Sequence, residues 1–229
     1  LAKSVVFTAI NSVVGVRNSY LFSEKKFAEI HEKIEASFNF IFFMGFACCF
    51  GIMGIAKTFV PLFFGAGYDQ VVGLLYTFSS IIVIIGVSNC LGSQYYTPCG
   101  KRRESTNYLI FGSVVNLILN LLLIPNFGAE GAAVASVIAE AMVSVLYVHF
   151  SCGYGDFALL VKTGGKKLLV GFVMFVVIFA MNNLSLNGLV LISLQVVTGA
   201  LIYVLGLILL RDDWTMDMAQ NMERRIKRG

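Results

Sequence analysis

The sequence predicts an all-α polytopic membrane protein, and three observations carry that prediction. Of its 229 residues, 58% are hydrophobic and 13% charged, with a mean hydropathy of +0.82. A soluble domain of this length has too little interior to hide so much apolar surface. The apolar residues gather in runs of spanning length, since roughly 20 helical residues at about 1.5 Å each cross a hydrocarbon core of roughly 30 Å. The cationic residues, finally, sit between those runs on alternate turns only.

Taken in order, the chain begins at Leu1 inside an apolar run, without the charged start, apolar stretch and cleavage site of a secretory signal. It reads as the C-terminal part of something longer. Residues 4–16 read as the end of a helix that starts upstream, which leaves Lys3 within the membrane or at its far interface. Around residues 22–36, Phe27, Ile30, Ile34 and Phe38 recur at helical spacing, with Lys and Glu on the other faces. That pattern predicts an interfacial amphipathic helix or, equally, a solvated helical linker. Complete spans are expected at 38–60, closed by Pro61, and at 70–93, 107–124, 128–149, 167–181 and 186–210. Between 94 and 106, Tyr95, Tyr96, Pro98, Gly100 and the run Lys101-Arg102-Arg103 mark a helix leaving the membrane. Residues 151–166 read as a polar loop, Asn182-Asn183 as a turn, and 211–229 as a charged tail. The expected organisation is 1–150, followed by two further spans and the tail in 151–229.

Charge gives the orientation. Arg17, Lys25, Lys26 and Lys33 precede the first complete span; Lys101, Arg102 and Arg103 follow the second; Lys162, Lys166 and Lys167 follow the fourth; Arg211, Arg224, Arg225, Lys227 and Arg228 follow the last. These are fifteen of the seventeen Lys and Arg, and only Lys3 and Lys57 stand apart. Positive segments stay inside, so this face, with the C-terminus, is expected to be cytoplasmic. The net charge of +4 then reflects topology and calls for no nucleic-acid partner.

The most informative stretch is 107–149, two apolar runs joined by Pro125-Asn126-Phe127 and expected to form a transmembrane hairpin. Gly112, Asn116 and Asn120 share one face of the first run; Ala132, Ser136, Glu140 and Ser144 share one face of the second. Beside the second stripe runs a small-residue ridge of Gly131, Ala135 and Ala139, the spacing that lets helices approach closely. Asn and Ser often serve as hydrogen-bonding glue between helices. Glu140 differs, because a mid-span carboxylate costs a few kcal/mol or more unless it faces protein or water. It is a candidate pathway residue or one half of a buried pair.

The remaining chemistry-bearing residues are quieter. Cys48, Cys49, Cys90, Cys99 and Cys152 lie in or beside apolar runs without metal-ligand spacing and read as packing residues. Neither histidine has a partner at ligand spacing, so no metal or cofactor is called for. One internal echo exists: Pro61-Leu62-Phe63-Phe64-Gly65 resembles Pro125-Asn126-Phe127-Gly128.

These residues carry a family resemblance. An outer turn Pro125-x-x-Gly128-x-x-Gly131-Ala132-Ala133, after a helix with Asn116 and Asn120 and before one with Ala139-Glu140, resembles the Wzx-type polysaccharide flippases of the MATE-like superfamily. Pro61-x-x-x-Gly65 and the amphipathic stretch before Phe38 fit the same pattern. The resemblance runs from about Asn11 to Phe150, and the last two spans match in hydropathy alone. Val16 stands before Arg17 where such proteins often carry Pro-Arg, so no role is given to Arg17. The resemblance implies two helical lobes facing a central cavity, with this chain forming most of the second lobe plus two extra C-terminal helices.

It also implies a function: moving lipid-diphosphate-linked oligosaccharide repeat units across the plasma (inner) membrane for surface polysaccharide biosynthesis. Asn116, Asn120, Ser136 and Glu140 would line the polar path, Lys57 or Lys3 would balance the diphosphate, and Glu140 is the candidate site for a coupling H+ or Na+. The alternative is a MATE-type exporter of small organic cations, which should present more acids to its cavity than Glu140 alone. A membrane enzyme needs larger catalytic loops than these short outer turns, so the chain reads as a transporter and not an enzyme.

Overall fold

A computed structural model describes residues 19–184 and 186–226. Lys3, the partial helix at 4–16, Arg17, Lys227 and Arg228 lie outside the described residues. Among those described, every regular element is helical. Five helices are long and apolar enough to cross a membrane: Phe27–Phe64 (α1), Gln70–Tyr96, Arg102–His149 (α4), Phe157–Met181 (α5) and Gly188–Leu209 (α6). The second consists of Gln70–Ser79 (α2), Ile81–Leu91 (α3) and a π-helical turn, Gly92–Tyr96. Asp213–Ile226 (α7) follows the last span. The protein is an all-α, multi-pass membrane protein.

At 48 residues α4 is about twice the length that one crossing needs. It breaks at Gly128, whose φ of 56° and ψ of −131° only glycine adopts cheaply. The two limbs then run back along each other. Asn116 meets Ser136, Ser105 meets Tyr147, and a Cβ placed on Gly112 would strike Val143. The expected hairpin is present, with its reversal at Gly128 rather than across Pro125-Asn126-Phe127. The first limb stays helical through Pro125, and Asn126 Nδ2 still reaches the Leu122 carbonyl at 3.3 Å. α1 ends by the same device. It runs through Pro61 to Phe64, and Gly65 turns out at a φ of 86° while donating to the Pro61 carbonyl at 3.1 Å.

Three expected boundaries move. No separate interfacial helix occupies 22–36, because α1 continues unbroken from Phe27 into the span. Neither Gly nor Pro interrupts the stretch, and protein covers most of its apolar stripe: Ile30, Ile34 and Phe38 are fully buried, while Phe27 at the start stays exposed. The predicted loop at 151–166 is helical from Phe157, so α5 starts ten residues before the expected 167. Gly164-Gly165 resembles a breaker, yet a Cβ on Gly164 would come within 3.1 Å of the Phe42 ring. The glycine is there for close packing. The tail is a helix rather than a loose end, because Asp212 caps it by accepting from Thr215 N at 3.0 Å and Thr215 Oγ1 at 2.7 Å.

The described residues divide into two compact units, one drawn from the chain up to Ile41 with Ser80–Thr163, the other from Phe42–Ser79 with Gly164 onward. In the second unit the second half of α1 packs with the last two spans. In the first unit the small-residue ridge is buried as expected, at Gly131, Ala135 and Ala139, and Ser144 donates to the Ile84 carbonyl at 2.8 Å. In the second, Val170, Met174, Ile178, Tyr203 and Leu207 form the core. Gly199 and Gly206 let α6 close onto α5, since a Cβ on either would lie 2.6–2.7 Å from Ile178 or Val170.

The hairpin's closest approach to backbone gives a test. A Cβ on Gly131 would fall 2.5 Å from the Leu123 carbonyl oxygen, a backbone atom that cannot step aside. On Gly112 it would meet only the Val143 side chain. Gly131→Ala should therefore destabilise by about 1–3 kcal/mol, as overpacking does, and by more than Gly112→Ala. Unfolding midpoints in detergent micelles measure both.

Candidate functional site

Membrane-depth polar groups are the natural place to look, because hydrocarbon offers them no partners. The hairpin brings Asn116, Asn120 and Ser136 together. Asn120 Nδ2 donates to Asn116 Oδ1 at 2.7 Å, and Asn116 Nδ2 donates across the limbs to Ser136 Oγ at 3.5 Å. Ser136 in turn donates to the Ala132 carbonyl at 2.9 Å. The other amide oxygen, Asn120 Oδ1, is buried without a partner among the described residues. An unsatisfied buried acceptor costs on the order of 1–3 kcal/mol, which a water or a ligand donor would recover. Glu140 is half-buried one turn beyond Ser136 on the same limb. The outer face of the first limb is apolar and exposed, at Leu117, Ile118, Leu121 and Leu122.

The remaining candidates sit elsewhere. Lys57 is exposed in the other unit, its Nζ 4.5 Å from the Phe179 ring centroid, an ordinary cation–π distance. It is not part of the hairpin track. Lys3 lies outside the described residues. Ser144, the last of the predicted stripe, is spent on the α3 backbone.

Two polar clusters were not singled out in the sequence. In the second unit Gln195 is fully buried, donating to Asn182 Oδ1 at 3.0 Å and to the Ile178 carbonyl at 3.3 Å. Thr58 Oγ1 donates to the same Asn182 oxygen at 2.7 Å. The signal available was a lone glutamine inside an otherwise apolar span. Nearer the N-terminal end of α5, Lys167 Nζ meets Asp212 Oδ2 at 2.9 Å, with side-chain exposures of 0% and 7%. Burial works to raise the Asp212 carboxyl, but the bonds from Lys167 and Thr215 outweigh it and hold it below the ordinary carboxylate range. Lys166 Nζ reaches the Arg211 carbonyl beside it at 2.8 Å.

Each unit holds its own cationic contacts. In the first unit Lys162 pairs with Glu35, and Lys101 Nζ donates to Tyr95 OH at 2.9 Å and to Cys152 Sγ at 3.4 Å. Hydrogen bonds from Tyr95 and Lys101 hold the exposed Cys152 thiol below its ordinary range.

The buried pair gives the second test. Lys167→Met strands the Asp212 carboxylate and should cost about 3–5 kcal/mol, most of it restored by adding Asp212→Asn. Asp212's folded pKa lies below its unfolded value of about 4. The pair's contribution is therefore whole above that value and is lost as pH falls through the depressed one. Unfolding midpoints from pH 3 to 7 should fall at the acidic end in the native chain and flatten in the double variant.

No family model matches the chain. Among curated proteins it is similar to the probable low-salt glycan biosynthesis flippase Agl15 of Haloferax volcanii, 26% identical over 158 residues, which are 63% of this chain and 34% of that protein. The uncharacterized membrane protein MJ1068 of Methanocaldococcus jannaschii is 29% identical over 119 residues, 52% of this chain and 24% of the relative. A putative O-antigen transporter of Escherichia coli K12 is 30% identical over 95 residues, 42% and 23% of the two chains. The chain spans from about a quarter to a third of the length of these relatives. Among solved structures, the inward closed conformation of the lipid II flippase MurJ superposes with a TM-score of 0.72 at 17% identity, over 92% of this chain and 44% of that one. The fold is shared with that protein, and the relatives' names together with it bear out the resemblance to Wzx-type flippases of the MATE-like superfamily.

Proposed function

We propose that this chain is part of a flippase that moves lipid-diphosphate-linked oligosaccharide units from the inner to the outer leaflet of the plasma membrane for surface polysaccharide assembly. The observation that carries the reading is the Asn120–Asn116–Ser136 track. It is a hydrogen-bonded line of amides and a hydroxyl with one acceptor still open, set among the apolar residues of the two limbs. A polar headgroup crossing hydrocarbon needs such a line of neutral partners, each able to exchange one hydrogen bond for another without a charged trap.

In this reading Asn116, Asn120 and Ser136 hand the sugar along, and Glu140 beside them takes up the coupling H+ or Na+. The cationic ends of the spans face the cytoplasm. The described helices form most of one lobe of a two-lobed transporter, followed by two further spans. The protein performs no covalent chemistry; it lowers the barrier to crossing.

The full-length protein in proteoliposomes should move a fluorescent isoprenyl-diphosphate-linked oligosaccharide between leaflets. Asn116→Leu/Asn120→Leu should slow that movement about tenfold or more while leaving the protein folded. Glu140→Gln should remove the dependence on an imposed pH or Na+ gradient. Movement of a lipophilic cation such as tetraphenylphosphonium in place of the lipid-linked sugar would assign the chain to the cation exporters. Full gradient dependence in Glu140→Gln would take the coupling role from that residue.

A further inference from the structure

The span Gln70–Tyr96 does not end as an ordinary helix. Its last turn is π-helical over Gly92–Tyr96, with Thr97 N donating to the Gly92 carbonyl at 3.0 Å. A π turn widens the helix by a residue and is found mostly at functional positions. Here it borders a pocket of about 260 Å³ in the first unit. Asn89, Ser93 and Thr97, spaced i, i+4 and i+8, supply one wall; Ser105, Leu109 and Tyr147 from the two limbs of α4 supply the other. Gly92 keeps the floor open, since a Cβ there would lie 3.3 Å from the Tyr147 ring.

The hydrogen-bond accounting separates this pocket from ordinary helix glue. Ser93 donates to the Asn89 carbonyl at 2.6 Å, and Ser105 and Tyr147 bond each other. The exposed Asn89 side-chain amide and the half-buried Thr97 hydroxyl line the pocket, and no hydrogen bond to the described residues engages either side chain, only the Asn89 carbonyl being used. The pocket therefore offers two amide donors, an amide acceptor and a free hydroxyl, with serine and tyrosine lone pairs beside them. No charged side chain lines it. An ion entering would lose its hydration without a counter-charge, whereas a neutral polyol would exchange its water bonds for protein ones. The volume lies below the roughly 300–1,000 Å³ of drug-sized sites, a fit for one ring rather than a chain of them. One turn before Ser105 on α4, Arg102 and Arg103 are exposed to solvent and free to meet an anion attached to that ring.

We infer that this pocket binds a single neutral sugar ring, the first sugar of the lipid-linked cargo, with its diphosphate toward Arg102 and Arg103. The inference rests on the flippase reading for the source of the sugar, and on the pocket's own chemistry for the sugar itself.

The test uses the full-length protein in nanodiscs and three probes: an isoprenyl-diphosphate-linked N-acetylglucosamine, the isoprenyl diphosphate alone, and free N-acetylglucosamine. Asn89→Ala/Thr97→Val should weaken the sugar-bearing lipid about tenfold or more, near fivefold for each hydrogen bond lost. It should leave the sugarless lipid unchanged, and Thr97→Ser, which keeps the hydroxyl, should bind like the native chain. Equal weakening of both lipids, or no weakening of any of the three probes, overturns the site. If only free N-acetylglucosamine responds to the variants, the pocket takes sugar rings but not as lipid cargo, which supports the site and counts against its source. Variant-sensitive binding without lipid movement by the native protein overturns the transport reading and leaves the sugar pocket standing.

Discussion

Hydrocarbon offers no hydrogen bonds, and that single constraint organises this protein. Each polar group placed at membrane depth must be answered from within the fold. Asn116 answers Asn120, Ser144 answers a carbonyl of α3, Gln195 answers Asn182, and Lys167 answers Asp212. Such bonds are made only where backbones come close. The glycines Gly112, Gly131, Gly199 and Gly206 are thus as necessary to the polar pairs as the polar residues themselves. Close packing and polar satisfaction are one requirement seen from two sides.

Against that background the incomplete bonds acquire meaning. Asn120 Oδ1 and Gln195 Oε1 are buried acceptors without donors among the described residues, and the pocket beside the π turn holds an unused amide and hydroxyl. A stable membrane bundle has no reason to keep such groups in its spans. In the flippase proposal they have one, since polar atoms left open in the fold are there for the cargo's hydroxyls to bond. Neutral amides and hydroxyls suit this better than charges, which bind tightly and release slowly.

Much of this was legible in the sequence. The hairpin and its small-residue ridge followed from spacing, and helical periodicity put Asn116 with Asn120 on one face and Ser136 on another; their meeting across the limbs is seen in the fold. The echo of Pro61–Gly65 in Pro125–Gly128 also proved physical: in both, the helix runs through the proline and turns at a glycine with positive φ. What escaped were features set by tertiary partners. The stretch before Phe38 has the pattern of a surface helix, and only the fold shows protein covering Ile30 and Ile34. Gly164-Gly165 reads as a break until the Phe42 ring is placed against it. Lys167 looked like a boundary charge, and its pairing with Asp212, 45 residues away, cannot be derived from either neighbourhood. The π turn leaves no periodic signature at all.

Charge placement is the claim on which the orientation of every span rests, and it can be measured directly. In the full-length protein freed of its native cysteines, single cysteines at Glu104, Asn126, Asn183 and Asp217 would be probed with a membrane-impermeant thiol reagent. The account predicts that positions 104 and 217 label only from the cytoplasmic side, and 126 and 183 only from outside. Labelling of 104 and 217 from opposite sides would contradict it, because the cationic bends would then not share one face of the membrane.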